Sequence, residues 1–243
     1  HGGHERSAIE RYVVLEELLA AGAPCGAHWI GDRQSGPLII RLGNARQKAL
    51  LPRIASGELS FCIGLSEPDS GSDLASLRSR ATRSGAGWVL SGRKVWTTNA
   101  HRSDYMIGLF RTGGPDETRH AGLSQFLIDL RLPGITIRPI RDLTGNADFN
   151  EVTFDDVRID EDMLLGEEGQ GWAQATAELT LERSGPERYL SSFTLVSAVA
   201  RELAESGGLG EDDHARAVLG RLLAHHAVLR DMSLSVAGEI EAG

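Results

Sequence analysis

Residues 64–73, GLSEPDSGSD, form an unbroken polar loop directly behind the apolar run Phe61-Cys62-Ile63. A tight turn needs only a few such residues, so a loop of this length predicts more than a change of chain direction. Its hydroxyls, carboxylates and backbone N–H groups can hold a polar ligand on a rigid scaffold. A second polar stretch, VWTTN at 95–99, follows further along the chain. Together the two stretches predict a binding site.

Carboxylates with possible chemistry occur in the segment AELTLERSG at 177–185 and just beyond it. A carboxylate in an apolar pocket has a raised pKa, which suits a general base. The stretch holds Glu178, Glu182 and Glu187, together with Arg183 and Arg188. Spacing alone favours a solvated helix face for all of them, because charged helical residues usually lie in water.

The composition and net charge of the chain disfavour several classes of function. The chain has 243 residues, of which 41% are hydrophobic and 24% charged, as in an ordinary globular protein. Its formal net charge of -9 disfavours a nucleic-acid partner, since phosphate binding needs a basic face. No apolar stretch reaches the roughly 20 residues of a membrane span. The two cysteines, Cys25 and Cys62, predict neither a disulfide framework nor a metal site, and they indicate a reducing cytoplasm.

The elements that must position the polar stretches are predicted from periodicity. Residues 7–21 have helical spacing, and Ser7 with Glu10 fits a capping box. Two further helices are predicted near 25–41 and at 44–56. No initiator Met is present and the first residues are glycine-rich, so we expect a piece of a longer protein.

From residue 59 the sequence pattern changes to short apolar runs separated by Gly, Pro, Asn and Asp. Residues 87–99 predict a hairpin with a Ser-Gly turn. Strands at this spacing are typical of an antiparallel sandwich or barrel. Helical periodicity returns at about residue 170. The predicted fold class is therefore α+β, with N-terminal helices, a middle β domain and C-terminal helices.

At this point the motifs resemble those of the acyl-CoA dehydrogenase flavoprotein family, over about residues 7–200. The resemblance rests on the order and separation of four motifs: LSEPDSGSD at 65–73, SGRKVWTTN at 91–99, FDDVRI at 154–159 and GQGW at 169–172. It implies an N-terminal helical domain at 1–58, a middle β domain at 59–168 and a C-terminal helical bundle at 169–243, with the first and last incomplete. It also implies FAD as cofactor, between the last two domains.

The resemblance implies how the two polar stretches would line FAD. Leu65 and Ser66 would lie near the polar edge of the flavin, and Trp96 would pack near its ring. Thr98 would hydrogen-bond the flavin edge. Glycine permits a close backbone approach to the diphosphate. The implied cofactor-binding residues are Ile63, Leu65, Ser66, Gly71, Ser72, Trp96, Thr97 and Thr98.

The implied reaction is α,β-desaturation of an acyl-CoA thioester, with hydride transfer to the flavin N5 and α-proton abstraction by a glutamate. In one subgroup of the family this glutamate lies early in the C-terminal bundle, directly before an Arg. Glu182-Arg183 matches that place, so Glu182 is the implied base and Glu187 the second choice. The implied substrate-facing residues are Ser72, Thr180, Leu181 and Arg183.

The implied electron acceptor is an electron-transfer flavoprotein, and family members are oligomers. Residues 201–220 are acidic and lack the family's Arg-x-x-Phe-Gly pattern, so a homo-oligomer and a heteromer with a paralogous subunit both remain open. Two alternatives remain open. One is a non-catalytic or FAD-sharing subunit of a heteromeric enzyme. The other is a flavoenzyme of the same fold that uses oxygen, although the oxygenases of this kind need no base.

Overall fold

A computed structural model of the chain describes residues 1–114, 119–183 and 185–242, and only the backbone of residues 27, 181–183, 209 and 211. These residues form two compact units, each described by itself below. The first unit comprises His1–Gly3 and Gly26–Thr180, and the second comprises His4–Cys25 and Leu181–Gly243. The three domain boundaries expected from the sequence stay a prediction.

Helices lie at both ends of the described chain and strands lie between them, so the predicted α+β order is confirmed. The helices are α1 (Ala8–Ala20), α2 (Gly26–Ile30), α3 (Gly36–Leu42), α4 (Ala45–Lys48), α5 (Leu51–Ala55), α6 (Gly171–Arg183), α7 (Glu187–Leu190), α8 (Phe193–Glu205), α9 (Gly208–Glu211) and α10 (Asp213–Ala242). The strands are β1 (Phe61–Gly64), β2 (Arg80–Ser84), β3 (Gly87–Thr98), β4 (Tyr105–Arg111), β5 (Leu123–Asp129), β6 (Ile135–Ile140), β7 (Phe149–Asp160) and β8 (Leu164–Leu165).

Local signals explain where the N-terminal helices begin. The predicted capping box is present at α1, where Ser7 accepts from the Glu10 N–H and Glu10 accepts from the Ser7 N–H. The helix predicted near 25–41 is α2, a π-helical turn at Gly31–Ser35, and α3. The helix predicted at 44–56 is α4 and α5, and Asn44 forms a second capping box with Gln47.

The strands of the first unit form one eight-stranded sheet in the order β6-β7-β3-β2-β4-β5-β8, with β1 paired to β4. Most neighbouring strands are antiparallel, as predicted. The sheet is nevertheless mixed, because β1 runs parallel to β4 from Phe61↔Tyr105 to Gly64↔Gly108, and β2 meets β4 in parallel at Arg80↔Arg111. Parallel neighbours need crossover connections, and the long polar loop after β1 belongs to one of them.

The predicted hairpin at 87–99 is wrong. These residues form the single strand β3, which pairs with β2 on one side and with β7 on the other. The turn lies earlier, at Gly85, whose φ is 61°. The Ser-Gly pair is a bulge instead: the register against β7 shifts between Leu90 and Gly92. Gly92 has a φ of 143°, and a Cβ there would lie 2.3 Å from the Ser79 hydroxyl. Glycine is therefore required for close packing at this point rather than for reversing the chain.

Two buried apolar clusters hold the sheet of the first unit rigid. One contains the aromatic side chains of Trp88, Phe110, Phe126 and Phe154, whose rings contact each other edge to face. The second packs α3 and α5 onto the sheet through residues such as Ile39, Ile54, Phe61, Ile107 and Leu127. The strands that carry the polar stretches are thus anchored in a packed core.

In the second unit, α1 packs with α7, α8 and α10. The hydroxyls of Tyr12 and Tyr189 hydrogen-bond each other, and Tyr12 also donates to Glu16 at 3.2 Å. Glu16 in turn accepts from Arg230 of α10 at 2.7 Å. Across the described part of the chain, every helix is too short or too polar to span a membrane.

Candidate functional site

The structure brings the two polar stretches together. The Val95 N–H of β3 donates to the Ser66 carbonyl of the loop at 2.9 Å. The loop also closes on itself, because Glu67 and Ser70 exchange backbone hydrogen bonds of 2.9 and 3.1 Å. The loop at 64–73 and the strand end at 95–98 therefore form neighbouring walls of one surface in the first unit.

A buried ion pair joins the same two walls. Lys94 of β3 is 0% exposed and its Nζ lies 2.9 Å from Oε1 of Glu67, which is 8% exposed. The Glu67 carboxylate also accepts the Arg78 N–H at 2.6 Å and the Ser79 N–H at 2.9 Å. Lys94 also donates to the Leu65 carbonyl at 3.2 Å. Each charge thus has several partners, as buried charges require.

Both groups of this pair remain charged near neutral pH. Burial lowers the pKa of Lys94 to about 8, and the charge and hydrogen bond of Glu67 oppose that effect. Burial pushes the pKa of Glu67 upward, but the Lys94 charge, its hydrogen bond and the N–H of Arg78 lower it further than burial raises it. The pair therefore places a fixed ammonium beneath the loop.

Trp96 is the most unusual residue of the strand wall. Its backbone has a φ of 59°, in the left-handed region that side chains with a Cβ avoid. The β3–β7 register shifts between Lys94 and Thr97 at this point. Trp96 is 59% exposed, and its ring contacts Phe149 edge to face with the ring centroids 6.1 Å apart. Such backbone strain clusters at functional sites, and here it holds an aromatic face toward solvent.

The other predicted cofactor residues divide into exposed and buried groups. Gly71 and Ser72 are exposed, and Ser66 and Thr98 are half-buried. Leu65 packs against a buried cluster that includes Leu77 and Leu109, and Ile63 packs against the cluster formed with the N-terminal helices. Thr97 is buried, and its hydroxyl has no hydrogen-bond partner among the described residues. Its side chain therefore points inward, away from the surface that Trp96 and Thr98 share.

At Gly71 neither the backbone conformation nor the neighbouring protein atoms require a glycine. Its backbone lies outside the left-handed region, and a Cβ there would meet no atom within 4 Å. The space in front of this backbone is open, which suits the close approach of a ligand.

The predicted substrate and base residues lie at the end of α6 and beyond. Thr180 is exposed, and its hydroxyl donates to the Thr176 carbonyl at 3.0 Å. The side chains of Leu181, Glu182 and Arg183 lie outside the described residues, although their backbone belongs to α6. Glu187 is half-buried in α7 of the second unit. The assignment of the base to Glu182 stays a prediction.

The solvated-face interpretation is wrong for Glu178, which is 3% exposed. Its Oε2 accepts from Nε2 of Gln125 at 2.5 Å. Burial raises the pKa of Glu178 to about 7, against the opposing effects of Gln125 and Arg41. In the structure the buried residues of α6 recur at helical spacing: Gly171, Gln174, Ala175 and Glu178. Their mixed small, polar and charged types do not mark this face in the sequence.

Two family descriptions match the chain. The acyl-CoA dehydrogenase N-terminal domain matches residues 1–58, and the acyl-CoA dehydrogenase middle domain matches residues 62–157. The second match contains both polar stretches and the Glu67–Lys94 pair. Together the matches span more than half of the chain.

Relatives of known name agree with these matches. Acyl-CoA dehydrogenase IpdE1 of Mycobacterium tuberculosis is 45% identical over 205 residues, which is 84% of this chain and 52% of the relative. Acyl-CoA dehydrogenase FadE26 of the same organism is 32% identical over 100% of this chain and 63% of its own length. The chain thus spans about half the length of IpdE1.

Solved structures show the same fold. The Tcur3481-Tcur3483 steroid ACAD is 30% identical with a TM-score of 0.87, over 98% of this chain and 62% of that one. The ChsE4-ChsE5 complex from Mycobacterium tuberculosis is 31% identical with a TM-score of 0.83, again over 98% and 62%. With the motifs, the fold and the relatives in agreement, the chain belongs to the acyl-CoA dehydrogenase family.

Proposed function

We propose that this chain belongs to an FAD-dependent enzyme that introduces an α,β double bond into an acyl-CoA thioester. The observation that carries the proposal is the junction of the polar loop with β3, where Val95 binds Ser66 at 2.9 Å. Trp96, which follows this junction on β3, is 59% exposed. A site built this way offers an exposed aromatic side chain next to a polar loop, which suits the flat, apolar ring and the polar edge of a flavin.

The residues present fit FAD. Trp96 would pack against the flavin ring, and Ser66 and Thr98 would hydrogen-bond its polar edge. The open backbone at Gly71 and the exposed hydroxyl of Ser72 would approach the diphosphate. Ile63, Leu65 and Thr97 would support this surface through the backbone and from the core. Bound FAD would supply the hydride acceptor of the reaction.

Proton transfer is assigned to the protein. Glu182 would take the α proton of the thioester, and Arg183, Thr180, Leu181 and Ser72 would line the acyl-CoA. The family resemblance and the position of Glu182 near the end of α6 support this assignment. A carboxylate within reach of the acidified α carbon is sufficient for this role.

The acyl group and the assembly are proposed from the neighbours. One is a steroid ACAD and another is a complex of two chains, ChsE4 and ChsE5. We therefore propose a bulky, ring-bearing acyl-CoA as substrate and a paralogous chain as partner, with an electron-transfer flavoprotein as acceptor. We also propose that the protein acts in the cytoplasm, because Cys25 and Cys62 are both free thiols.

The proposal is tested by anaerobic turnover of the purified protein with any co-purifying partner. Acyl-CoAs with linear, branched and ring-bearing chains are incubated with an artificial electron acceptor, and products are identified by mass spectrometry. We expect a 2-enoyl-CoA that is two hydrogen atoms lighter than its substrate. Product that forms only when oxygen is admitted would favour the oxygen-using alternative. Turnover by a complex in which only the partner binds flavin would favour the non-catalytic subunit.

A further inference from the structure

The peptide group between Leu65 and Ser66 has an unusual pair of partners. Its carbonyl oxygen accepts a hydrogen bond from the Lys94 ammonium at 3.2 Å. Its N–H, on Ser66, has no hydrogen-bond acceptor among the residues that the structure describes. One end of the peptide therefore binds a buried cation, and the other end is free to donate to a ligand.

The two ends of a peptide are electronically coupled. A cation at the carbonyl oxygen draws electron density from the nitrogen, so the N–H becomes a stronger donor, as in any hydrogen-bonded chain. Because Lys94 is 0% exposed, water screens this effect little. A lysine at the protein surface would polarise the same peptide far less.

We propose that Lys94 is a positioning residue that tunes the cofactor through this peptide, by strengthening the Ser66 N–H as a donor to the polar edge of the flavin. The inference rests on the proposed function. The flavin edge becomes more negative when the cofactor accepts a hydride. A stronger donor therefore stabilises the reduced cofactor more than the oxidised one and makes hydride acceptance more favourable.

Glu67 keeps the ammonium in place. Its carboxylate is fixed by the N–H groups of Arg78 at 2.6 Å and Ser79 at 2.9 Å, so Lys94 cannot follow a mobile counter-ion away from the loop. The ammonium binds the carboxylate at 2.9 Å and the Leu65 carbonyl at 3.2 Å. The ammonium thus contacts the peptide and its counter-charge at the same time.

The test compares Lys94→Met with Arg93→Met in the FAD-loaded protein. Arg93 carries the same charge one residue earlier on β3, but its side chain is 52% exposed in its pair with Glu151. The readout is the equilibrium constant for reduction of the bound flavin against a reference dye, with the FAD dissociation constant measured alongside. We expect Lys94→Met to lower the reduction constant about tenfold, on the scale separating charge-assisted from neutral hydrogen bonds. Arg93→Met should change it by less than roughly twofold, because exposed charges are screened.

Removing Lys94 alone leaves Glu67 buried without its cation, so the single variant can fail to fold. In that case Lys94→Met combined with Glu67→Gln removes both charges, and the same tenfold fall is expected. A folded, FAD-binding variant of either kind with the wild-type reduction constant would overturn the inference, as would an equal fall in Arg93→Met. Wild-type protein that binds no flavin would instead overturn the proposed function, so the two failures are distinguishable.

Discussion

Gln125 and Glu178 form a hydrogen bond of 2.5 Å inside the first unit. The second carboxyl oxygen of Glu178 has no hydrogen-bond partner among the described residues, and neither has the amide oxygen of Gln125. A buried carboxylate with one partner is poorly solvated, and this explains why burial raises the pKa of Glu178 to about 7. Glu178 is therefore a carboxyl group that the fold prefers to keep protonated.

This pKa predicts how stability depends on pH. The usual pKa of a glutamate is 4.5 and that of folded Glu178 is about 7, so the folded state binds more protons between these values. The free energy of unfolding should fall as pH rises through this window and level off above it. Glu178→Gln cannot titrate, and should gain about 3 kcal/mol relative to wild type between pH 4.5 and 8. Urea unfolding at several pH values measures the difference; parallel curves for the two proteins would refute it.

Trp96 is predicted to contribute to cofactor affinity and little to stability. Because its ring is largely in solvent, Trp96→Ala should change the free energy of unfolding by less than about 1 kcal/mol. The FAD dissociation constant should rise about fivefold, since a stacked aromatic pair contributes on the order of 1 kcal/mol. Trp96→Phe is the matched control and should bind FAD nearly as wild type does. Fluorescence titration with FAD measures the affinity of both variants. Unchanged affinity in Trp96→Ala would mean that the flavin ring does not pack against Trp96.

Substitution by Ala is predicted to reduce stability at Gly92 and cofactor affinity at Gly71. A Cβ at Gly92 would lie 2.3–2.6 Å from atoms of Ser79, so Gly92→Ala should destabilise the fold by about 2 kcal/mol or more. Gly71→Ala meets only open space in the protein and should leave unfolding within about 0.5 kcal/mol of wild type. It should weaken FAD binding if the diphosphate lies at this backbone. Thermal unfolding measures the stability of both variants, and titration with FAD measures their affinity. If Gly71→Ala binds FAD normally, the diphosphate does not lie at this loop.

The base assignment predicts a large effect on one rate. Glu182→Gln should retain bound FAD and reduce the rate of flavin reduction by acyl-CoA at least about 100-fold, the usual scale for loss of a general base. Glu187→Gln serves as the control and should reduce flavin at close to the wild-type rate. Stopped-flow absorbance under anaerobic conditions measures both rates. If Glu187→Gln is the impaired variant, the base is Glu187, and two active variants would mean that neither glutamate is the base.

The sequence allowed the order of the elements and the pairing of the two polar stretches to be predicted, because caps, turn residues and motifs are local signals. It misled at Ser91-Gly92, where a pair typical of a turn forms a bulge, because β3 pairs with the distant strand β7 on both sides of this point. It also left Lys94, Glu67 and Glu178 unrecognised as buried residues. Charged side chains are normally exposed, and their burial depends on partners distant in the chain, which no local pattern reveals.

The central claim is that the loop at 64–73 and the strand end at 95–98 bind a flavin that acyl-CoA reduces. The most direct measurement is the visible absorption spectrum of the purified protein, with any co-purifying partner, before and after anaerobic addition of acyl-CoAs of several classes. We predict a yellow, flavin-shaped spectrum that bleaches with one class, with ring-bearing acyl groups first among the candidates. A colourless protein, or a yellow one that no acyl-CoA bleaches, would contradict the claim.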